Sequence, residues 1–143
     1  MEKQRPRVGL GVIVLNDKGE ILIGKRKGAH APFYSIPGGN LELGETFEDG
    51  AIRELKEEAD ITIIDPKVTS LTNNLKTFRE EGLHYLSVLL IAKKFEGEVK
   101  IMEPHKCEEW LWVDPHNLPE PHFEASTFGV QCYLQNKFYL GAS

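Results

Sequence analysis

Apolar and β-branched residues form short runs separated by turn signals along the 143-residue chain. The runs VGLGVIVLN and EILIGKRK flank an Asn-Asp-Lys-Gly turn, which predicts a hairpin from Val8 to Arg26. A loop from Gly28 to Pro32 is expected next, followed by the short extended piece FYSIP. The runs ITIIDPKVTSLTNNLKTF and LHYLSVLLIAKKF predict strands joined by a polar REEG turn, and EEWLWV predicts another strand.

A helical period interrupts these strands between Thr46 and Ala59. Thr46 is a suitable N-cap, and Ile52, Leu55 and Ala59 fall within about 60° of one another at the helical spacing, which defines a core-facing stripe. A second, short helix over the sheet is predicted from Glu124 to Gln135. Helices on both faces of a mixed β-sheet are the layered α/β arrangement.

Composition agrees with one globular domain over residues 1–143, since the chain is 41% hydrophobic and 27% charged and contains no repeat or linker. The net charge of −5 disfavours binding to a nucleic acid polymer, which usually needs a basic face. No run approaches the roughly 20 apolar residues that cross a membrane, and the N-terminal stretch lacks a secretory cleavage pattern. Cys107 and Cys132 are expected to be reduced thiols, as in a cytoplasmic protein.

Three glutamates are crowded into the second half of the predicted α-helix. Glu54, Glu57 and Glu58 span about 100° of arc beside the core stripe. Glu54 and Glu58 are like charges at the i,i+4 spacing, which costs a few tenths of a kcal/mol unless a cation lies over them. Oxygen ligands without nearby His or Cys favour Mg²⁺ or Mn²⁺ over Zn²⁺. The alternative is an acidic helix face that only contacts water.

A glycine-rich loop precedes this helix. Gly38, Gly39 and Gly44 give the backbone freedom to approach a bound ion closely. Glu45 and Arg53 are eight residues apart, and an ion pair between them would tie the loop to the helix.

Together, the loop and helix resemble the Nudix box. That pattern reads Gly, five residues, Glu, seven residues, Arg-Glu, an apolar residue, any residue, Glu-Glu, any residue, Gly, and an apolar residue. The residues in register are Gly39, Glu45, Arg53, Glu54, Leu55, Glu57, Glu58 and Ile61. Asp60 stands where the pattern has glycine, and Asp tolerates the left-handed conformation that ends a helix better than most residues.

The flanks LIGKRKG, KCEEWLWVDPHNLP and TFGVQC are similar to those of the MutT-homologue branch of this family. The resemblance implies the Nudix fold and Mg²⁺-dependent hydrolysis of nucleoside triphosphates or deoxynucleoside triphosphates, including modified ones, to monophosphate and pyrophosphate. It also implies that the Gly38 carbonyl and the carboxylates of Glu54, Glu57 and Glu58 hold metal ions, with Mn²⁺ as an alternative metal. Either Glu54 or Glu57 then serves as the catalytic base.

Substrate contacts are expected around this metal site. Arg26 or Lys27 would bind phosphates, although both are equally compatible with charges that protect a sheet edge. Next to Gly39, which is also assigned to the substrate site, Asn40 would hydrogen-bond a base or ribose. In the TFGVQC segment Phe128 would stack on a base, with Gly129 leaving room beside it; the alternative for Phe128 is a core position.

Two other functions remain open at this point. The same fold could hydrolyse a nucleoside diphosphate linked to a sugar or coenzyme, because the box reads only the diphosphate linkage. A non-catalytic nucleotide-binding module is the third hypothesis, although such proteins usually lose box acids and this chain retains them. A homodimer is an alternative to a monomer, since dimers are frequent among similar proteins. The sequence does not determine the base preference or the number of metal ions.

Overall fold

The structure is a computed structural model that describes residues 3–141, so both ends of the predicted domain 1–143 extend beyond the described residues. Within that range the chain forms nine strands and three helices. The strands are β1 (Arg7–Val14), β2 (Ile21–Arg26), β3 (Tyr34–Ser35), β4 (Gly38–Asn40), β5 (Thr62–Ile64), β6 (Lys67–Asn73), β7 (Tyr85–Ala92), β8 (Lys94–Glu96) and β9 (Cys107–Val113). The helices are α1 (Phe47–Ala59), α2 (Leu75–Glu81) and α3 (Glu124–Gln135).

The central sheet is mixed, with strand order β4-β1-β7-β6. Strand β1 runs parallel to β7 along its whole length, while β4 and β6 are antiparallel to their neighbours. A second antiparallel sheet has the order β3-β2-β9, and β5 pairs with β8 in a separate ribbon. This architecture confirms the predicted mixed α/β fold.

Two apolar cores cover the two faces of the central sheet. Alternate residues of β1 point to opposite faces, so Val12 lies in the core against α1 while Ile13 lies in the core against α3. Leu55 of α1 is fully buried in the first core, and Val130 of α3 is buried in the second. The sheet is therefore sandwiched between α1 and α3, and the continuous apolar run of β1 reflects burial on both faces.

The predicted hairpin from Val8 to Arg26 is wrong in its pairing, although both strands form. One edge of β1 is occupied by β4 and the other by β7, so β2 has no free edge of β1 to join. Strand β2 instead pairs with β3 and β9. What remains of the hairpin is an isolated bridge between Leu15 and Ile21.

The prediction of one long strand ending near Phe78, followed by a turn, is also wrong. Asp65, with φ of 51°, and Pro66 divide the first part into β5 and β6. Helix α2 replaces the end of the strand and much of the turn. Its first turn is capped from a distance, because the carboxylate of Glu124 accepts hydrogen bonds from the backbone N–H groups of Lys76 and Thr77. A tertiary contact of this kind leaves no local sequence signal.

Candidate active site

Helix α1 presents the acidic residues of the Nudix-like motif to one edge of the central sheet. The Thr46 hydroxyl accepts the N–H of Asp49 at 3.0 Å, and Asp60 ends the helix in the left-handed conformation with φ of 56°. Both ends thus form as the sequence predicts. The Asp60 carboxylate pairs with Lys56 at 3.0 Å and lies 3.7 Å from Lys100. These partners help hold a non-glycine residue at the cap.

Arg53 occupies the centre of the motif. Its guanidinium makes two hydrogen bonds to Glu45, with Nε–Oε2 at 2.7 Å and Nη2–Oε1 at 3.0 Å. The Arg53 side chain also donates to the Asn40 carbonyl at 3.1 Å and to Glu54 at 3.0 Å. Hydrogen bonding to Arg53 holds the pKa of Glu45 at about 2. The loop, the helix and one candidate metal ligand are therefore joined through a single side chain.

Glu54 and Glu58 are withdrawn from water and lie near further negative charge. Burial raises the pKa of Glu54 above its ordinary value, while Arg53 opposes this shift. Burial, followed by the charges of Glu54 and Glu103, raises the pKa of Glu58 to about 8. The Gly38 N–H donates to Glu58 Oε2 at 3.2 Å. Both raised pKa values are typical of carboxylates whose ionised form would be stabilised by a bound cation.

Glu57 has a different environment. Its side chain is 53% exposed, and it contacts Arg53 Nη1 at 3.3 Å. Across residues 3–141, no three His, Cys, Asp or Glu side chains converge closely enough to hold a metal ion in this conformation. The donor chemistry nevertheless fits a hard divalent cation, because the buried Glu54 and the partly buried Glu58, both with raised pKa values, lie beside a backbone that approaches closely. Movement of the exposed Glu57 side chain would be needed for it to join Glu54 and Glu58.

The glycine pair allows this close approach. A Cβ atom on Gly39 would lie 2.5 to 2.6 Å from the carboxylate atoms of Glu54. A Cβ atom on Gly38 would collide with the backbone of Leu10. Gly38 therefore excludes any larger side chain, whereas a side chain at Gly39 could be accommodated only if the Glu54 carboxylate moved.

A cavity of about 270 Å³ opens beside this loop. Gly38, Gly39 and Asn40 line it, and Asn40 Oδ1 accepts a hydrogen bond from the Tyr85 hydroxyl at 2.8 Å. Arg26 lines the cavity and also a small cleft that contains Glu58 and Glu103. Its Nε atom is buried without a hydrogen-bond partner among the described residues. Arg26 is thus positioned between the cavity and the carboxylates.

Other candidate substrate residues lie elsewhere. Lys27 is exposed and does not line the cavity, and its backbone N–H donates to the Lys106 carbonyl at 2.8 Å. Phe128 lines a separate hollow of about 230 Å³. Gly129 is buried, and a Cβ there would lie 2.7 Å from Leu89. The structure therefore brings Arg26, Gly39 and Asn40 together at the cavity. Lys27, Phe128 and Gly129 do not line it.

Sequence reasoning missed two parts of this region. Glu103, in the loop before β9, contributes negative charge to both Glu54 and Glu58, yet it lies far from the motif in sequence. Asn74 and Ser87 are buried polar residues that line the cavity. Their position among the apolar residues of predicted strands could have indicated them, because a polar side chain inside such a run needs a buried hydrogen-bond partner.

The fold and the site together define an α/β protein in which the carboxylates of one helix lie against a glycine pair that lines a ligand-sized cavity. A model of the NUDIX domain family matches residues 5–129 of the chain. An ADP-ribose pyrophosphatase from Methanocaldococcus jannaschii is 32% identical over 120 residues, covering 83% of this chain and 68% of that protein. An RNA pyrophosphohydrolase from Novosphingobium aromaticivorans is 27% identical over 133 residues, covering 78% of this chain and 79% of that protein.

Solved structures give the same result. A MutT NUDIX hydrolase from Burkholderia pseudomallei superposes with a TM-score of 0.81 at 28% identity, covering 90% of this chain and 98% of that one. The chain belongs to the Nudix family. It is a hydrolase that acts on pyrophosphate bonds. In the described part of the chain, no helix has the length and apolar character required to span a bilayer.

Proposed function

We propose that this protein hydrolyses nucleoside triphosphates, including deoxynucleoside and modified forms, to a nucleoside monophosphate and pyrophosphate. The observation that carries the proposal is the junction, formed by the glycine pair, between a cavity of about 270 Å³ and the carboxylates of the buried Glu54 and the partly buried Glu58. Gly38 and Gly39 belong to both parts, since they line the cavity and contact Glu58 and Glu54 respectively. A nucleoside in the cavity would direct its phosphates across the glycine pair.

The carboxylates of Glu54, Glu57 and Glu58, with the Gly38 carbonyl, are the groups that would hold Mg²⁺, and Mn²⁺ suits the same oxygen ligands. Bound there, such an ion neutralises phosphate charge and lowers the pKa of a water molecule. The raised pKa values of Glu54 and Glu58 support this assignment, because a cation would relieve the cost of ionising both groups.

The chain's own groups divide the remaining work. Arg26, between the cavity and the carboxylates, is the candidate for contacting the phosphates as negative charge develops on the leaving group. Either Glu54 or Glu57 accepts the proton of the attacking water. Burial and the raised pKa of Glu54 favour it as the base, whereas Glu57 is more exposed and free to move. Arg53 positions Glu54 through the contact at 3.0 Å.

A second candidate substrate class is a nucleoside diphosphate linked to a sugar. The observation that favours it is the 32% identity to a protein named ADP-ribose pyrophosphatase. The same junction would serve, because the cavity again holds the nucleoside while the carboxylates act on the linkage between the two phosphates. Both candidates release a nucleoside monophosphate, and they differ in the second product.

Identification of products separates the two. The purified protein is incubated with Mg²⁺ and equal concentrations of the common nucleoside triphosphates, modified triphosphates and ADP-ribose, and phosphate-containing products are resolved by chromatography. Pyrophosphate with monophosphate supports the first proposal, whereas ribose 5-phosphate with AMP from ADP-ribose alone supports the second. Tight binding without turnover across Mg²⁺ and Mn²⁺ would contradict both.

A further inference from the structure

The floor of the cavity contains a buried polar pair that the hydrolytic groups do not use. Tyr85, Ser87 and Leu89 alternate along β7 and line the cavity from one face of the sheet. Gly9 lies opposite Ser87 on β1, and a Cβ on Gly9 would be 3.7 Å from Ser87 Oγ. The absence of a side chain at Gly9 therefore leaves space beside the Ser87 hydroxyl.

Asn74 is the partner of Ser87. Its Nδ2 donates to Ser87 Oγ at 2.9 Å, and the two residues are only 2% and 8% exposed. The Asn74 Oδ1 atom is buried without a hydrogen-bond partner among the described residues. Asn74 is the N-cap residue of α2, yet its side chain makes no cap hydrogen bond. Its carboxamide therefore hydrogen-bonds Ser87 through Nδ2, while the Oδ1 acceptor remains unused.

The unused hydrogen-bonding groups of the Asn74–Ser87 pair are one donor and one acceptor. In the orientation described, Asn74 Oδ1 is an unused acceptor that a ligand reaches only after a small rotation of the Asn74 side chain, because the atom is covered, and the Ser87 hydroxyl proton is free to be donated. If the amide is rotated by half a turn, Ser87 donates to Asn74, and the pair then offers an amide donor beside a hydroxyl acceptor. Either way one donor stands beside one acceptor, and their order is reversible.

Other hydroxyl groups of the wall are already engaged. Ser35 donates to the carbonyl of the next residue, and Thr77 donates to Glu124 at 2.8 Å. Ser126 accepts a backbone N–H at 3.0 Å and lies 2.7 Å from His122 Nε2. His122 Nδ1 must donate to the Pro119 carbonyl, so Nε2 is the acceptor and the Ser126 proton is used. Among the buried serine, threonine and asparagine side chains of the lining, the free donor and acceptor are therefore at Asn74 and Ser87.

We propose that the Asn74–Ser87 pair reads the edge of a nucleobase on which a hydrogen-bond donor lies beside an acceptor, in either order. In purines this is the N1–C6 edge, which carries an acceptor and a donor in adenine and the reverse in hypoxanthine. A base without the exocyclic group leaves part of the buried pair unpaired, which lowers affinity. The inference rests on the proposed function in one respect, namely that the cavity takes the nucleoside.

The test measures binding rather than turnover. Dissociation constants are determined by calorimetry, with EDTA present, for AMP, IMP and purine riboside 5′-monophosphate. These ligands share their sugar and phosphate and differ at C6. We expect AMP and IMP to bind within about threefold of each other, and the purine analogue to bind about tenfold more weakly.

Two variants test the assignment of the residues. Asn74→Leu is expected to weaken AMP and IMP about tenfold and leave the purine analogue nearly unchanged, so that the discrimination disappears. Gly9→Ala makes ordinary contacts of 3.4 to 3.7 Å in the structure and is expected to fold, yet its methyl group would weaken all three ligands at least tenfold. Asn73→Leu, whose side chain contacts His84 outside the cavity lining, is the control and keeps the wild-type ratios.

The outcomes are distinct. Equal affinity for the three ligands, or an Asn74→Leu variant that retains their ratio, would overturn the inference. IMP binding as weakly as the purine analogue would overturn the reversible order. Because no hydrolysis is measured, a protein that discriminates these ligands but cleaves no triphosphate would contradict the proposed function alone.

Discussion

Arg53 and Glu45 form a two-pronged ion pair across the start of α1, with donor–acceptor distances of 2.7 and 3.0 Å. The same guanidinium reaches the carbonyl of Asn40 and the carboxylate of Glu54. Glu45 Oε1 also accepts the backbone N–H of Glu42 at 3.0 Å, which fixes the loop on the other side. The pair therefore couples the position of the glycine loop to that of a candidate catalytic carboxylate, without itself lining the cavity.

Arg53→Lys should expose this coupling. Lysine keeps the charge but cannot donate to Glu45, Asn40 and Glu54 together, because it lacks the planar fork. We expect the free energy of unfolding to fall by about 1 to 3 kcal/mol and kcat to fall at least tenfold. Urea unfolding and steady-state kinetics measure the two effects. Lys93→Gln, at an exposed position between β7 and β8, is the control; comparable loss of activity in this control would contradict a specific role for Arg53.

Removal of charge from Glu54 or Glu58 should abolish most activity. We expect Glu54→Gln and Glu58→Gln each to lower kcat/KM at least a hundredfold, because each loses a candidate metal ligand while keeping nearly the same shape. Rates are measured over a Mg²⁺ titration, so that weaker metal binding is separated from slower chemistry. Glu48→Gln, in the exposed first turn of α1, is the matched control and should retain full activity.

Glu57→Gln decides between the two candidate bases. If Glu57 is the base, its variant loses kcat even at saturating Mg²⁺, and Glu54→Gln is rescued in part by high metal concentration. The reverse pattern assigns the base to Glu54. Full activity in Glu54→Gln or Glu58→Gln would contradict the roles proposed for α1 as a whole.

The sequence predicted α1 well because the relevant physics is local. The Thr46 cap, the left-handed Asp60 and the buried Leu55 all depend on residues within a few positions. The partners of β1 depend on the whole chain, and a turn signal between β1 and β2 favoured a hairpin that the parallel pairing with β7 excludes. Helix α2 also lay beyond local reasoning, because Glu124 caps it from 47 and 48 residues away.

In the candidate site, too, the parts close in sequence were predictable and the parts assembled from distant segments were not. The glycine loop and the glutamates are close in sequence, so their spacing was enough to predict that they lie together. The cavity is assembled from β1, β2, β3, β4, β7, α2 and α3, and no spacing rule links these elements. The resemblance of the TFGVQC segment predicts that Phe128 stacks on a base, but the direction of this side chain on α3 depends on packing and places it in a separate hollow.

Gly39→Ala should impair catalysis with little effect on stability. The added Cβ would lie within 2.6 Å of the Glu54 carboxylate, which must move because it is the flexible end of its side chain. A displacement of about 1 Å in a catalytic group can lower the rate roughly a hundredfold. Thermal unfolding and kcat are measured on the same preparation.

Gly44→Ala should show the opposite behaviour. Gly44 has φ of 78°, and a Cβ there meets no atom within 4 Å. Left-handed backbone costs an alanine about 1 to 2 kcal/mol, so stability falls while kcat is retained. Similar loss of activity in both variants would mean that the loop, rather than the Glu54 contact, limits the rate.

His122 should make the folded state sensitive to mild acid. Burial lowers its pKa below the ordinary value of 6.5, and in the folded protein its neutral ring accepts the Ser126 proton. Between the two pKa values the unfolded chain binds a proton that the folded chain does not. The stabilisation is therefore complete above about pH 6.5 and is lost as the pH falls toward the lower, folded-state pKa.

The expected slope is below the roughly 1.4 kcal/mol per pH unit that a single proton can contribute. Urea unfolding of the wild type and of His122→Asn at pH 7.5 and 5.5 measures it, and His116→Asn is the control because that side chain is 74% exposed. We expect His122→Asn to be less stable at pH 7.5 but to lose less stability on acidification than the wild type. An identical loss in both proteins would show that His122 takes up its proton equally in the folded and unfolded states.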